Sequence, residues 1–141
     1  IIDDYIQYVK EYKEANPQVK LLIGCDSQNA RKFCAYVVVI AFRNDDKGAH
    51  VIYTSLHVPK IRDKFTRLWK EAEQSILIAD QLRAIGITVD AVELDFNKSK
   101  SAGSNMMIGP AVGYVVGMGY NALAKPDELI ACKAADHILR H

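Results

Sequence analysis

Hydrophobic positions recur along the chain with two different periods. Ile2, Tyr5, Ile6, Val9 and Tyr12 fall at helical spacing with charges between them, and Asn16-Pro17 follows. This predicts an amphipathic helix over residues 1–16. The pattern then shortens. Val19 to Cys25 is an apolar strand running into Asp26-Ser27-Gln28, and Phe33 to Phe42, rich in Val, Ile and aromatics, predicts a central strand. The turn Asn44-Asp45-Asp46-Lys47-Gly48 leads to a third strand, Ala49 to Val58. Links this short imply an antiparallel meander.

The second half changes period again. Asp63 is placed to cap a long helix that reaches about Ile85 and stops at Gly86, with Leu68, Ala72, Ile76, Ala79 and Leu82 as its apolar face. Ile87 to Phe96 alternates as a fourth strand, and a strand–helix–strand crossover favours parallel pairing. Ser99 to Gly103 is expected as a loop, followed by a helix capped by Ser104 or Asn105 and running through Met118. Gly109, Gly113 and Gly117 form a small-residue stripe on it, expected to pack closely on the sheet. A phosphate cradle around Gly103 is the weaker reading, because no GxGxxG or Walker pattern is present. Tyr120 to Lys125 is a short fifth strand, and Pro126 precedes a last helix, Asp127 to Arg140. The fold class is α/β, a mixed five-stranded sheet with helices on its faces. With no repeats, low-complexity segments or internal linker, residues 1–141 are expected to form a single domain.

Composition narrows the functional classes. At 141 residues, 50% hydrophobic and 25% charged, the chain can bury a sizeable core without disulfides. Its net charge of +1 leaves any attraction to phosphate to local patches. Cys25, Cys34 and Cys132 form no CxxC pair and read as buried small hydrophobes. The longest apolar stretch, Met106 to Tyr120, is shorter than the roughly 20 residues of a membrane helix. A cytoplasmic protein without a membrane partner is the expectation.

Two carboxylates stand where a sheet-based site needs them. Asp26 ends the first apolar strand in Leu22-Ile23-Gly24-Cys25-Asp26-Ser27, and Asp95 ends the fourth in Val92-Glu93-Leu94-Asp95-Phe96-Asn97. If those strands are parallel neighbours, both carboxylates sit at one sheet edge, outside the carboxyl ends of the strands, where ligands commonly bind. Asp90 and Glu93 are reserves, Glu93 having the same parity as Asp95.

This element order, with an Asp ending strands one and four, resembles the ribonuclease H-like superfamily over nearly the whole chain after the first helix. Within it the chain looks most like the bacterial YkuK-type family, on Gly24-Cys25-Asp26-Ser27-Gln28, Glu93-Leu94-Asp95-Phe96-Asn97, and Lys125-Pro126 followed by Ala134-Ala135-Asp136. The resemblance implies a sheet ordered 3-2-1-4-5 and a cluster of Asp and Glu holding two divalent ions. It also implies a third carboxylate on the long helix, Glu71 or Glu73. In such enzymes the helix Glu is followed by small or apolar residues at +1, +4, +5 and +8. From Glu71 these are Ala72, Ser75, Ile76 and Ala79, whereas from Glu73 two of the four are glutamines, which favours Glu71. Asp136 in Ala134-Ala135-Asp136-His137 resembles the Ala-Asp step of the family's last helix and supplies the fourth.

Asp26, Glu71, Asp95 and Asp136 are therefore the candidate catalytic and metal-binding residues, with Mg²⁺ or Mn²⁺ as the cofactor. Both ions prefer oxygen ligands, and two-metal hydrolysis clamps the attacking and leaving oxygens between ions about 3.5–4 Å apart. The leading function is a divalent-metal-dependent nuclease acting on RNA, an RNA–DNA hybrid or branched DNA. The alternative is a nucleic-acid-binding or protein-interaction module that kept the fold and lost turnover. It draws on the departures from the nuclease pattern: Ser27-Gln28 in place of a glycine-rich hairpin, no basic insertion, and Lys125-Pro126 where a histidine-bearing loop is usual. Locally, Lys60, Arg62, Lys64, Arg67 and Lys70 face one carboxylate, Asp63, and Lys98 and Lys100 follow Asp95. They could meet a phosphate backbone or simply form a solvated helix face. Phe65 and Trp69 could stack on bases, Trp69 being the better core residue, and His137 could shuttle a proton.

Overall fold

The computed structural model describes residues 4–45, 48–96, 102–125 and 127–140, with side chains throughout those ranges except 102–107. The elements in chain order are α1 (Tyr5–Ala15), β1 (Lys20–Asn29), β2 (Phe33–Asn44), β3 (Gly48–Pro59), α2 (Lys64–Ala84), β4 (Ala91–Leu94), α3 (Ala102–Gly117), β5 (Ala122–Ala124) and α4 (Ala131–Arg140). The sheet runs β3-β2-β1-β4-β5, as expected. β1, β2 and β3 form the antiparallel meander, and β4 and β5 add in parallel on the other side of β1. No helix among the described residues is long and apolar enough to cross a membrane.

Strand alternation sorts the core into two layers. Leu21, Ile23 and Cys25 of β1 and Cys34, Tyr36, Val38, Ile40 and Phe42 of β2 join a cluster with Val9 of α1, Leu68, Ile76 and Leu82 of α2, and Ala111 and Val115 of α3. Leu22, Val37, Val39 and Ala41 point the other way and are covered by Ala131 and Ala135 of α4. Asp63 caps α2 by accepting from the Thr66 N–H. Gly86, at φ +85°, ends α2 by letting the Ile87 N–H return to the Leu82 carbonyl at 3.0 Å.

Several boundaries differ from the sequence expectation: β1 continues past Cys25 through Asp26 to Asn29, and α3 begins at Ala102 rather than at a cap on Ser104 or Asn105. β4 begins at Ala91 rather than Ile87, because the Asp90 carboxylate takes the Leu21 N–H at 2.7 Å where a ladder partner would otherwise stand. α4 begins at Ala131 rather than Asp127, because Asp127 is held in a turn, its carboxylate accepting from Ala124 N–H at 3.1 Å. β5 is limited to Ala122–Ala124. The glycine stripe is also corrected. Gly109, Gly113 and Gly117 are exposed, and a Cβ added at any of them meets nothing within 4 Å. Gly103 stands inside α3 and forms no cradle loop.

The close approach occurs at Gly24 instead. A Cβ there would lie 2.7 Å from Cys132 N and 3.0 Å from Ala131 Cβ, so α4 rests directly on the β1 backbone. Gly24→Ala is therefore expected to lift α4 and to cost about 1–3 kcal/mol, the usual range for overpacking, in a urea unfolding titration. An unchanged midpoint would show that α4 yields freely.

Candidate acidic site

The parallel pairing of β1 with β4 runs from Leu22–Ala91 to Gly24–Glu93, and Asp26 and Asp95 each follow that last pair by two residues. Asp26 lies within β1, which continues to Asn29, and is 1% exposed. It shares the α4 face with Leu22 and Gly24. Asp95 stands just beyond the end of β4, and its Oδ1 is buried without a hydrogen-bond partner among the described residues. Lys125 Nζ, 3.7 Å from that oxygen, is an ion-pair neighbour too distant for a hydrogen bond.

Arg140, the last residue of α4, ties two of the candidates together. Its Nη1 donates to Asp26 Oδ2 at 2.9 Å and forms an ion pair with Asp136 Oδ1 at 2.9 Å. Asp26 Oδ1 accepts from the Ser27 N–H at 2.8 Å. Asp95, Asp136, Arg140, Lys125 and Lys133 line one open cleft of about 930 Å³. Asp136, half exposed, stands at its rim.

Glu71 reaches the same strand from the other face. It is 2% exposed, and its Oε2 accepts from Ser27 Oγ at 2.5 Å. Arg67, one turn earlier on α2, donates to that hydroxyl at 3.1 Å. Ala72, Ser75, Ile76 and Ala79, which follow Glu71 at the spacing noted above, are all buried, whereas Glu73 is exposed. The structure thus connects Asp26 to Asp136 through Arg140, places Asp95 just past the end of the neighbouring strand, and leaves Glu71 on the opposite face, bonded to Ser27. Among the described residues no three His, Cys, Asp or Glu side chains converge closely enough to hold one ion together.

The two reserves serve the fold. Asp90 is engaged with Leu21 as described. Glu93, 1% exposed, accepts from Ile130 N at 3.0 Å and Cys132 N at 2.9 Å, capping α4 from the neighbouring strand. Burial raises its pKa above the usual carboxylate range, although the α4 amides pull the other way and the charge of Asp95 adds slightly to the rise. A raised carboxyl pKa means that stability is greatest below the unfolded value and falls as pH climbs through the folded one. Glu93→Ala is expected to destabilise the fold by about 2 kcal/mol, since it leaves buried amides without an acceptor. It should also flatten that pH dependence. A melting curve that is unchanged and keeps the wild-type pH profile would remove Glu93 from this role.

Ser27, Arg67, Lys125 and Arg140 are the participants that sequence reasoning missed as site residues. Arg140 carried one signal, its i, i+4 spacing from Asp136. Trp69 packs against the core and stacks on Tyr114 with centroids 5.1 Å apart, while Phe65 is exposed. Lys98 and Lys100 lie outside the described residues.

The family model described as Ribonuclease H-like matches residues 1–140. No curated protein matches the chain. Among solved structures, RNase H1 from the halophilic archaeon Halobacterium salinarum NRC-1 is similar at 9% identity over 83% of this chain and 89% of that one, with a TM-score of 0.43. Endonuclease V of Ciona intestinalis, in complex with a DNA containing an inosine followed by a ribo-adenosine, is similar at 12% identity over 98% and 67%, with a TM-score of 0.42. LC11-RNase H1 in complex with an RNA/DNA hybrid is similar at 12% identity over 85% and 99%, with a TM-score of 0.36.

Proposed function

The chain belongs to the ribonuclease H-like family, and on that premise we propose that it is a divalent-metal-dependent nuclease of the YkuK type. The observation that supports the reading is Asp95 Oδ1, buried and accepting no hydrogen bond among the described residues, just past the end of the strand that runs parallel beside the one holding buried Asp26. A buried carboxylate oxygen without a donor is costly, and a cation is the partner that chemistry supplies to it. The donor set is all carboxylate oxygen, which suits Mg²⁺ or Mn²⁺. Asp26 and Asp95 would hold the ion or ions, Asp136 would contribute from the cleft rim, and Glu71 would complete the set from α2. When bound, such an ion polarises a phosphoryl oxygen and lowers the pKa of a water.

The remaining work belongs to the chain itself. Lys125 and Arg140 flank the carboxylates with positive charge and attract a phosphodiester into the cleft. The Ser27 amide fixes Asp26, and Ser27 Oγ with Arg67 fixes Glu71, so neither carboxylate is free to swing. The test is hydrolysis of labelled RNA–DNA hybrid, single strands and branched DNA with Mg²⁺ or Mn²⁺. Cleavage of at least one, abolished by EDTA, is expected; purified protein that cuts none of them sinks the reading.

One observation favours the second reading, a module that binds nucleic acid or protein without turnover: Arg140 already pairs with both Asp26 and Asp136. That reading expects nucleic-acid binding, weakened by salt, with no cleavage under any metal.

A further inference from the structure

Two loops meet at the end of the sheet where β1 and β3 finish. Residues 30–32 join β1 to β2, and residues 60–63 join β3 to α2. Asn29 fastens one to the other: its Nδ2 donates to the Ile61 carbonyl at 2.7 Å, and its Oδ1 accepts from the Ile61 N–H at 3.4 Å. The two loops carry Arg31, Lys32, Lys60 and Arg62 against the single carboxylate Asp63, and all five are exposed.

Beside them is an exposed aromatic pair. Phe33 opens β2 and stacks on His57 of β3, with centroids 4.6 Å apart and planes 28° from parallel. By strand alternation both stand on the α4 face of the sheet, the face that also bears Asp26. Phe33 is 38% exposed and His57 is exposed as well, so no described element covers them. The register places Asp26 opposite Val37 and Gln28 opposite Ala35. Phe33 thus lies about 13 Å along β2 from the acidic site, in line with it.

We propose that this end of the sheet is a docking platform for a single-stranded stretch of nucleic acid. One unpaired base stacks on the Phe33–His57 pair, and the adjoining phosphates lie along Arg31, Lys32, Lys60 and Arg62. An exposed ring offers a base a stacking face at little cost in sequence preference, and the surrounding cations suit the backbone. A duplex hides its base faces and cannot use the stack, so the platform selects unpaired strands. The inference rests on the nuclease reading for the class of ligand and adds where the strand lies.

The test is fluorescence anisotropy of the whole chain in EDTA, with a labelled single-stranded oligonucleotide and a blunt duplex of the same length. The single strand is expected to bind more tightly. Phe33→Ala should weaken it about ten-fold and leave duplex binding unchanged. Phe33→Trp should retain the affinity. Where Phe33→Ala perturbs folding, Phe33→Leu keeps an apolar side chain without a stacking face and should show the same loss. Arg31→Gln with Lys60→Gln should reduce the slope of affinity against salt. Equal binding of the two probes, no binding of either, or wild-type affinity in both Phe33→Ala and Phe33→Leu overturns the platform. Cleavage by the wild type together with normal binding by the Phe33 variants defeats the platform alone. Binding that depends on Phe33, with no hydrolysis under any metal, defeats the nuclease reading alone.

Discussion

Asp26→Asn is expected to lower Mg²⁺- or Mn²⁺-dependent cleavage of nucleic acid by at least about a hundred-fold while the protein stays folded. Changes to groups that merely support a metal ligand typically cost about 10–100-fold in metal affinity or activity, so on the proposed reading, in which Asp26 is a ligand, removing its charge should cost no less. The fold should tolerate the change. An asparagine keeps only one acceptor oxygen, so either the Ser27 N–H or Arg140 loses its partner, a cost of about 1–3 kcal/mol that a stable domain can bear. Glu73→Gln is the matched control, because Glu73 is exposed on the same helix as Glu71 and faces away from the sheet. Initial rates on a labelled substrate, with circular dichroism melting beside them, make the comparison. If Asp26→Asn cuts at the wild-type rate, the acidic site is not where the chemistry occurs.

The carboxylates differ in how far the sequence exposes them, and the difference is physical. The neighbouring of β1 and β4 was legible because the crossover rule is general, whereas the polar run Asp26-Ser27-Gln28 misled as a strand exit, since cross-strand pairing with β2 carries β1 on to Asn29. That Glu71 rather than Glu73 faces the sheet was legible because helix periodicity is local too: Ala72, Ser75, Ile76 and Ala79 mark the buried face. Arg140 was not. Its spacing from Asp136 suggests an ordinary surface pair on one helix, but its second partner, Asp26, is 114 residues away. That contact depends on how far α4 advances over β1, which Gly24 permits by letting Cys132 and Ala131 sit against the strand. Glu93 is a similar case. Parity placed it on the same side as Asp95, but only the docking of α4 reveals that its carboxylate is taken up by the helix amides. The glycines of α3 misled for the opposite reason. Regular spacing of small residues is compatible with close packing without requiring it, and here Ala111 and Val115 make the contact instead.

Arg140→Gln is expected to destabilise the metal-free protein by about 2 kcal/mol and to make its stability more responsive to divalent ions than that of the wild type. Removing one partner of a fully buried ion pair costs about 3–5 kcal/mol, because the other charge stays out of water. Asp26 is buried in that sense, whereas the Arg140 side chain is 37% exposed and its own contribution is screened, so the expected cost lies below that range. On the proposed reading a divalent ion would compete with the guanidinium for Asp26 and Asp136. Taking the guanidinium away removes one cation from the folded state and strengthens the demand for another. An ion that binds only the folded chain stabilises it by RT ln(1 + [L]/Kd), so millimolar Mg²⁺ or Mn²⁺ should raise the melting temperature of Arg140→Gln by more than it raises that of the wild type. In the double variant Asp26→Asn, Arg140→Gln the added response should vanish, because the carboxylate that gains from the ion is gone. Thermal melts of the wild type, both single variants and the double variant, each with EDTA and with either metal, read this directly. A melting temperature indifferent to both ions in the wild type and in Arg140→Gln would mean that the carboxylates hold no metal. Arg140 would then be the permanent counter-ion of Asp26 and Asp136, and the site a structural ion-pair network on a nuclease fold.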